Sequence, residues 1–241
     1  LMVGQSTFGS GDNPNWISLR GGRFHQSIDG EHVSVSDGPL DLIIVNAAKL
    51  ARIYYEGAYD PANPSAPTCW SPDTQIPSKD VPTGQKQANR CMDCRQNIKG
   101  SSTGGGRACR YSQRLAVVLE GHMDTVYQMR IPATSIFGKD QKGDMSMQGY
   151  AKYLHKHKTS SISVVTRVRF DEKSETPKLF FKAVRALNEQ ELNKAIEQKS
   201  SRAASTATLQ TMSVQLETAR DSSPFTEVSG FEYNKGEDLW Q

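Results

Sequence analysis

Four cysteines, Cys69, Cys91, Cys94 and Cys109, all fall between residues 69 and 109 of a 241-residue chain, and no other cysteine occurs. Thiolates are ligands for tetrahedral zinc, and the Cys91-x-x-Cys94 spacing lets two neighbouring sulfurs reach one ion. Four sulfurs close the coordination sphere, so the expected cofactor is a structural Zn2+; a catalytic ion keeps an open position. A zinc ribbon usually has two such pairs, whereas here one pair stands with two single cysteines. An iron–sulfur cluster on the same four residues, or free or redox-active thiols, are the alternatives. The stretch 57–109 is rich in Pro, Gly, Ser, Asn and charge and poor in large apolar groups. It cannot bury a core of its own, and a bound metal would supply the missing folding energy. Residues 1–5 show no charged region followed by an apolar one, so no secretory signal and no disulfide framework are expected.

Charge is segregated along the chain. Residues 1–85 carry 5 Lys/Arg against 9 Asp/Glu, residues 86–185 carry 19 against 8, and residues 186–241 carry 5 against 9. A basic middle between acidic ends points to a polyanionic partner, with an unevenly charged solvated surface as the plainer alternative. Hydrophobic residues make up 36% of the chain. No apolar run reaches the roughly 18 residues of a membrane span.

The elements that must position these groups are mostly short strands. Strand patterns cover 15–20, 22–28, 40–46, 50–55, 113–120, 125–131, 161–170 and 178–185. Residues 147–157 read as a short helix with Met147, Tyr150, Ala151 and Leu154 on one side. Asn188 followed by Glu191 is a capping-box pattern that opens a helix to about 199. The pattern predicts a mostly β (α+β) fold: an oligonucleotide-binding-like barrel over 15–200, with an inserted four-cysteine zinc loop at 57–109 and a C-terminal helix. A flexible N-terminus, 1–14, precedes it, and 201–241 reads as a weakly helical segment and an acidic flexible tail.

Side chains alternate along strands. Val164 and Val168 face one way, Arg167 and Arg169 the other. Leu179, Phe181 and Ala183 share a face opposite Lys178, Phe180 and Lys182. Arg52 and Tyr54 repeat the pairing of a cation with a ring, and Arg114 and Arg130 extend it. Such a surface suits single-stranded nucleic acid, because cations track phosphates while rings stack on bases. A solvated sheet face is the alternative for each residue alone. The tail residues Glu237, Asp238, Leu239 and Trp240 are expected to compete for the basic groove or to dock on a partner protein, with a solubilising tail of no specific role as the alternative.

Other motifs lack their context. Gly121-His122-Met123-Asp124, with Gly143-Asp144, resembles a piece of the zinc aminopeptidase and deacylase signature. The bridging carboxylate and catalytic Glu that such a hydrolase needs do not follow. The glycine-rich 100–106 has no Gly-Lys-Ser/Thr and reads as a flexible turn. No enzymatic activity is expected.

The cysteine block carries a family resemblance. Cys69-Trp70-Ser71-x-Asp73, Cys91-x-x-Cys94-x-x-Asn97-x-x-Gly100-Ser101 and Ala108-Cys109-x-x-Ser112-x-Arg114-Leu115-Ala116-Val117 resemble a group of tailed-bacteriophage proteins described as single-stranded-DNA-binding. The likeness extends through Ile17–Phe24, Arg130–Ser135 and Phe180–Arg185, over roughly residues 15–200. Arg95 departs from the Pro expected after the second Cys of the pair, which bears on the local turn and not on the ligands. The resemblance implies a replication or recombination factor in the cytoplasm of a bacterial host, with an oligonucleotide-binding-type core. A virion or assembly protein that uses the zinc loop for protein contacts is the alternative from another class.

Overall fold

The computed structural model describes residues 15–57, 66–141, 143–174 and 176–209. The expected flexible N-terminus and the tail with Glu237, Asp238, Leu239 and Trp240 lie outside the described residues.

Ten strands and four helices make up the fold of the described residues. The strands are β1 (Asn15–Arg20), β2 (Arg23–Ile28), β3 (Glu31–Ser36), β4 (Leu40–Ala47), β5 (Ala51–Tyr54), β6 (Cys69–Ser71), β7 (Arg110–Leu119), β8 (His122–Pro132), β9 (Val164–Phe170) and β10 (Leu179–Ala186). The helices are α1 (Ala133–Ile136), α2 (Met147–Lys156), α3 (Glu189–Lys199) and α4 (Arg202–Thr208). The main sheet runs β10-β9-β4-β7-β8-β1-β2-β3, and β5 leaves this path to pair with both β7 and β6. The β1–β8 pair is parallel and the others are antiparallel. The result is a mostly β, curled half-barrel of mixed sheet with a few helices.

The curl follows from which strands are apolar on both faces. In β4, Leu42 and Ile44 point into the curl while Ile43 and Val45 point out; in β7, Leu115 and Val117 point in while Ala116 and Val118 point out. The inner core draws in the far ends of the sheet as well: the rings of Phe24 on β2 and Phe170 on β9 approach to 4.7 Å. Helix α2 plugs this core with Tyr150 and Leu154, one helical turn apart, and the Tyr150 hydroxyl meets the buried Thr166 hydroxyl at 2.7 Å. Its first turn is held by Ser146, whose Oγ accepts from the Gly149 N–H at 3.1 Å. On the outer face, α3 and α4 contribute Ala195, Ala204 and Ala207 to a second cluster with Ile43, Val45, Ala116, Val118 and Val126. Small side chains let these helices lie close against the sheet.

The expected elements correspond to observed ones, with shifted ends. The capping box of α3 is present in full, with the Glu191 N–H donating to Asn188 and the Asn188 N–H donating to Glu191. The strand expected from 161 starts at Val164, after a 3-10 turn at Ser161–Ser163. Three elements had no place in the sequence expectation: β3, β6 and α1. β3 carries no buried residue and follows an Asp29-Gly30 turn in which both residues have positive φ. Among the described residues, no helix is long and apolar enough to cross a membrane.

Arg185 fastens β10 to its surroundings through Glu120 at 2.6 Å and Glu191 at 2.7 Å. Its guanidinium, together with the Asn188 N–H, pulls the Glu191 carboxyl down to about 2. A carboxyl lowered by folding contributes stability above its ordinary range and loses it as pH falls toward the folded value. Denaturant titrations between pH 5 and pH 2 are therefore expected to show a steeper loss of stability for the wild-type chain than for Glu191→Gln; equal slopes would count against this linkage.

Candidate metal centre and nucleic-acid interface

The cysteine lobe grows from the end of the sheet. β5 pairs with the first residues of β7 and carries β6 on its other edge, in the register Arg52↔Ser71, Ile53↔Trp70 and Tyr54↔Cys69. Cys69 thus comes from a strand. Cys91 opens one 3-10 turn, Cys91–Asp93, and Cys94 separates it from the next, Arg95–Asn97. Cys109 immediately precedes β7. Two backbone bonds of 2.8 Å place these turns: the Cys91 N–H donates to the Gln75 carbonyl, and the Cys109 N–H donates to the Gln96 carbonyl. The lobe's apolar cluster is small, Ile53, Tyr54, Trp70 and Val81 with Cys69 and Cys109.

All four cysteines are buried free thiols, and they line one small cavity together with Arg52 and Trp70. Burial pushes the Cys69 and Cys91 thiols up and carries Cys109 to about 11. The Arg52 charge acts in the opposite sense on Cys91 and Cys109. Among the described residues, no three His, Cys, Asp or Glu side chains are assembled at ion-holding geometry. The donor chemistry of the cavity, four sulfurs and no carboxylate, suits a soft or borderline cation such as Zn2+.

The cationic sheet face expected from alternation is not an open groove. Arg52, at 7% exposure, is sealed between β5 and the cysteine turns, donating to Asn97 Oδ1 and, at 2.5 Å, to the Tyr111 hydroxyl. Tyr54 is buried in the lobe cluster. Arg114, at 4% exposure, sits on the outer face of β7, where it donates to the carbonyl of Leu209 just beyond α4. Phe180 is 1% exposed, with Arg169 and Lys178 at 5.0 and 4.5 Å from its ring centre. These four residues are corrected from contact surface to interior. A fifth, Arg130, is half-buried opposite Arg114.

Register does bring Arg169 beside Phe180 and Arg167 beside Lys182, as alternation requires. The cations are held by carboxylates, however: Arg167 by Asp41 at 2.7 Å, Arg169 by Asp144 at 2.6 Å and Lys178 by Asp171 at 2.7 Å. Lys182 remains exposed. The hydrolase fragment is not assembled either. Asp124 pairs with Lys194 at 2.9 Å, Asp144 belongs to Arg169, and His122 is exposed at the start of β8.

A different basic surface was missed. Lys86, Arg90, Arg95, Lys99, Arg107 and Arg110 are all exposed on the cysteine lobe. Among the described residues, only Arg90 of these six has a carboxylate partner, Asp93 at 3.5 Å. Met92 and Ile98 stand among them at 68% and 62% exposure. The signal was present in the sequence, since residues 86–110 hold six Lys/Arg against one acid. The basic count over 86–185 already includes this stretch, but strand alternation places the expected interface on the sheet and assigns no lobe cation to it. Comparison of the chain with protein-family models, with curated proteins and with solved structures gives no match.

Proposed function

We propose that this chain is a non-enzymatic protein that binds single-stranded DNA without strong sequence preference, and that it does so through a cysteine lobe held together by structural Zn2+. The observation that carries the reading is the contrast in charge pairing. Arg167, Arg169 and Lys178 on the sheet are matched by carboxylates, while Lys86, Arg95, Lys99, Arg107 and Arg110 on the lobe meet none among the described residues. Unmatched exposed cations suit phosphates, and neighbouring apolar groups such as Met92 and Ile98 suit the faces of unstacked bases. The curled sheet supports an oligonucleotide-binding-type scaffold, although ten strands with a parallel pair exceed a five-stranded barrel. The resemblance in the cysteine block supports a bacteriophage replication or recombination setting in the host cytoplasm, with the tail residues Glu237–Trp240 as the candidate contact for a replication partner.

Fluorescence anisotropy with a labelled oligonucleotide tests the reading. Binding is expected to fall steeply with salt, because phosphate contacts release counterions; no binding at about 50 mM salt overturns it. Elemental analysis is expected to find about one zinc per chain, whereas a brown chromophore would assign the cysteines to iron–sulfur. The exposed Met92 and Ile98 also favour a second reading, a virion or assembly protein whose lobe packs on another protein. That reading expects stable oligomers by light scattering, unchanged by oligonucleotide.

A further inference from the structure

We infer that Arg52 Nε and Trp70 Nε1 donate hydrogen bonds to the cysteine sulfurs of the metal-loaded lobe, making Arg52 a built-in counter-charge of that centre. The inference rests on the proposed metal and adds two positioning residues to it. Among the described residues, only two buried side-chain nitrogen or oxygen atoms lack a hydrogen-bond partner, and they are these two N–H donors. Both side chains line the cavity that the four cysteines share. Buried donors without acceptors are costly, so two of them on residues that line the cavity the four cysteines share point to an acceptor that forms there.

The surroundings of Arg52 sharpen the point. Its Nη1 and Nη2 are anchored by Asn97 Oδ1 and the Tyr111 hydroxyl, and its guanidinium lies 3.9 Å from the centre of the Tyr111 ring. Those contacts fix the plane of the group and leave Nε over. Asn97 in turn donates through Nδ2 to the Cys91 carbonyl at 3.0 Å, tying the anchor of Arg52 to the turn that carries Cys91 and Cys94. The hydrogen-bonding partners of this buried guanidinium are neutral. A buried cation requires an anion nearby. Four thiolates around a dication have a net charge of −2, and one guanidinium brings the ensemble to −1. Residues that hydrogen-bond the ligands of a metal in this way commonly set its retention.

Chelator competition on the zinc-loaded full chain, with Co2+ substitution as a spectroscopic probe, tests the assignment. Arg52→Met is expected to weaken zinc binding about 10- to 100-fold and to shift the sulfur-to-cobalt charge-transfer bands. Arg52→Lys is expected to recover part of the affinity by restoring the charge. Trp70→Phe, which keeps the ring and removes the N–H, is expected to weaken binding several-fold with a smaller band shift. Should Arg52→Met fail to fold, the Lys and Phe variants carry the test. A merely structural role would lower the stability of the metal-free chain and leave the cobalt spectrum in place. Unchanged affinity and unshifted bands in the Met and Phe variants overturn this inference and leave the metal standing; a wild-type chain that takes up no metal overturns both.

Discussion

A chain carrying Arg95→Glu, Lys99→Glu and Arg107→Glu together is expected to bind single-stranded DNA roughly 100-fold more weakly at low salt, with the log–log salt dependence flattened by about 2. The three side chains are exposed on the cysteine lobe and have no carboxylate partner among the described residues, so reversing them removes no internal ion pair there. Each lost phosphate contact also removes a released counterion, which is why affinity and salt slope fall together. Arg167→Glu is the informative control. It places a negative charge on the sheet beside Asp41, where Arg167 now makes a two-pronged contact at 2.8 and 2.7 Å. That change is expected to alter DNA binding only a few-fold, because this cation is already matched. Anisotropy over a salt series reads both variants. Wild-type affinity in the triple variant, with a large loss in Arg167→Glu, would return the interface to the sheet.

Phe181→Ala is expected to cost about 3–5 kcal/mol of folding stability, measured as a shift of the urea midpoint. Phe181 is fully buried in the inner core, with its ring 6.2 Å from that of Tyr150. Its backbone N–H and C=O both pair with Met145, so the residue also ties β10 to the segment leading into α2. Truncation leaves a cavity that a sheet so fastened cannot collapse to fill. Against a typical total of about 5–15 kcal/mol, the loss is large. Val184→Ala on the same strand, where the side chain is exposed, is expected to stay within about 0.5 kcal/mol. A loss below about 1 kcal/mol for Phe181→Ala would mean that the inner core repacks.

Strands whose apolar residues recur strongly were legible, and so were the caps. Ile43–Val45 and Leu115–Val118 announce β4 and β7, and Asn188 with Glu191 announces α3. β3 was invisible because nothing in Glu31–Ser36 is buried; it is held by backbone pairing with β2. β6 was invisible because three residues carry no periodicity, and the strand is defined by its partner β5. Residue type and spacing group the four cysteines in the sequence, and the structure places all four around one cavity. The open cationic face expected on the sheet is absent for a different reason. Alternation says which residues share a face, but not what covers that face. Arg114 lies beneath the end of α4, and Arg52 beneath the cysteine turns, owing to contacts with residues 95 and 45 positions away in the sequence. Asp41, Asp144 and Asp171, which match the sheet cations, were likewise scattered through the sequence before folding brought them together.

The parallel pairing of Asn15–Ile17 with Tyr127–Met129 sets an order of events during synthesis. The three-stranded meander of β1, β2 and β3 is made before β8, yet among the described residues its only ladder to the rest of the sheet is β8. Until residue 132 has emerged, that ribbon has no edge to join, and Phe24 has no core to enter. These strands therefore wait, unpaired with the rest of the sheet, until β8 is made, and a nascent chain stalled near residue 110 would leave them open to chaperones and proteases.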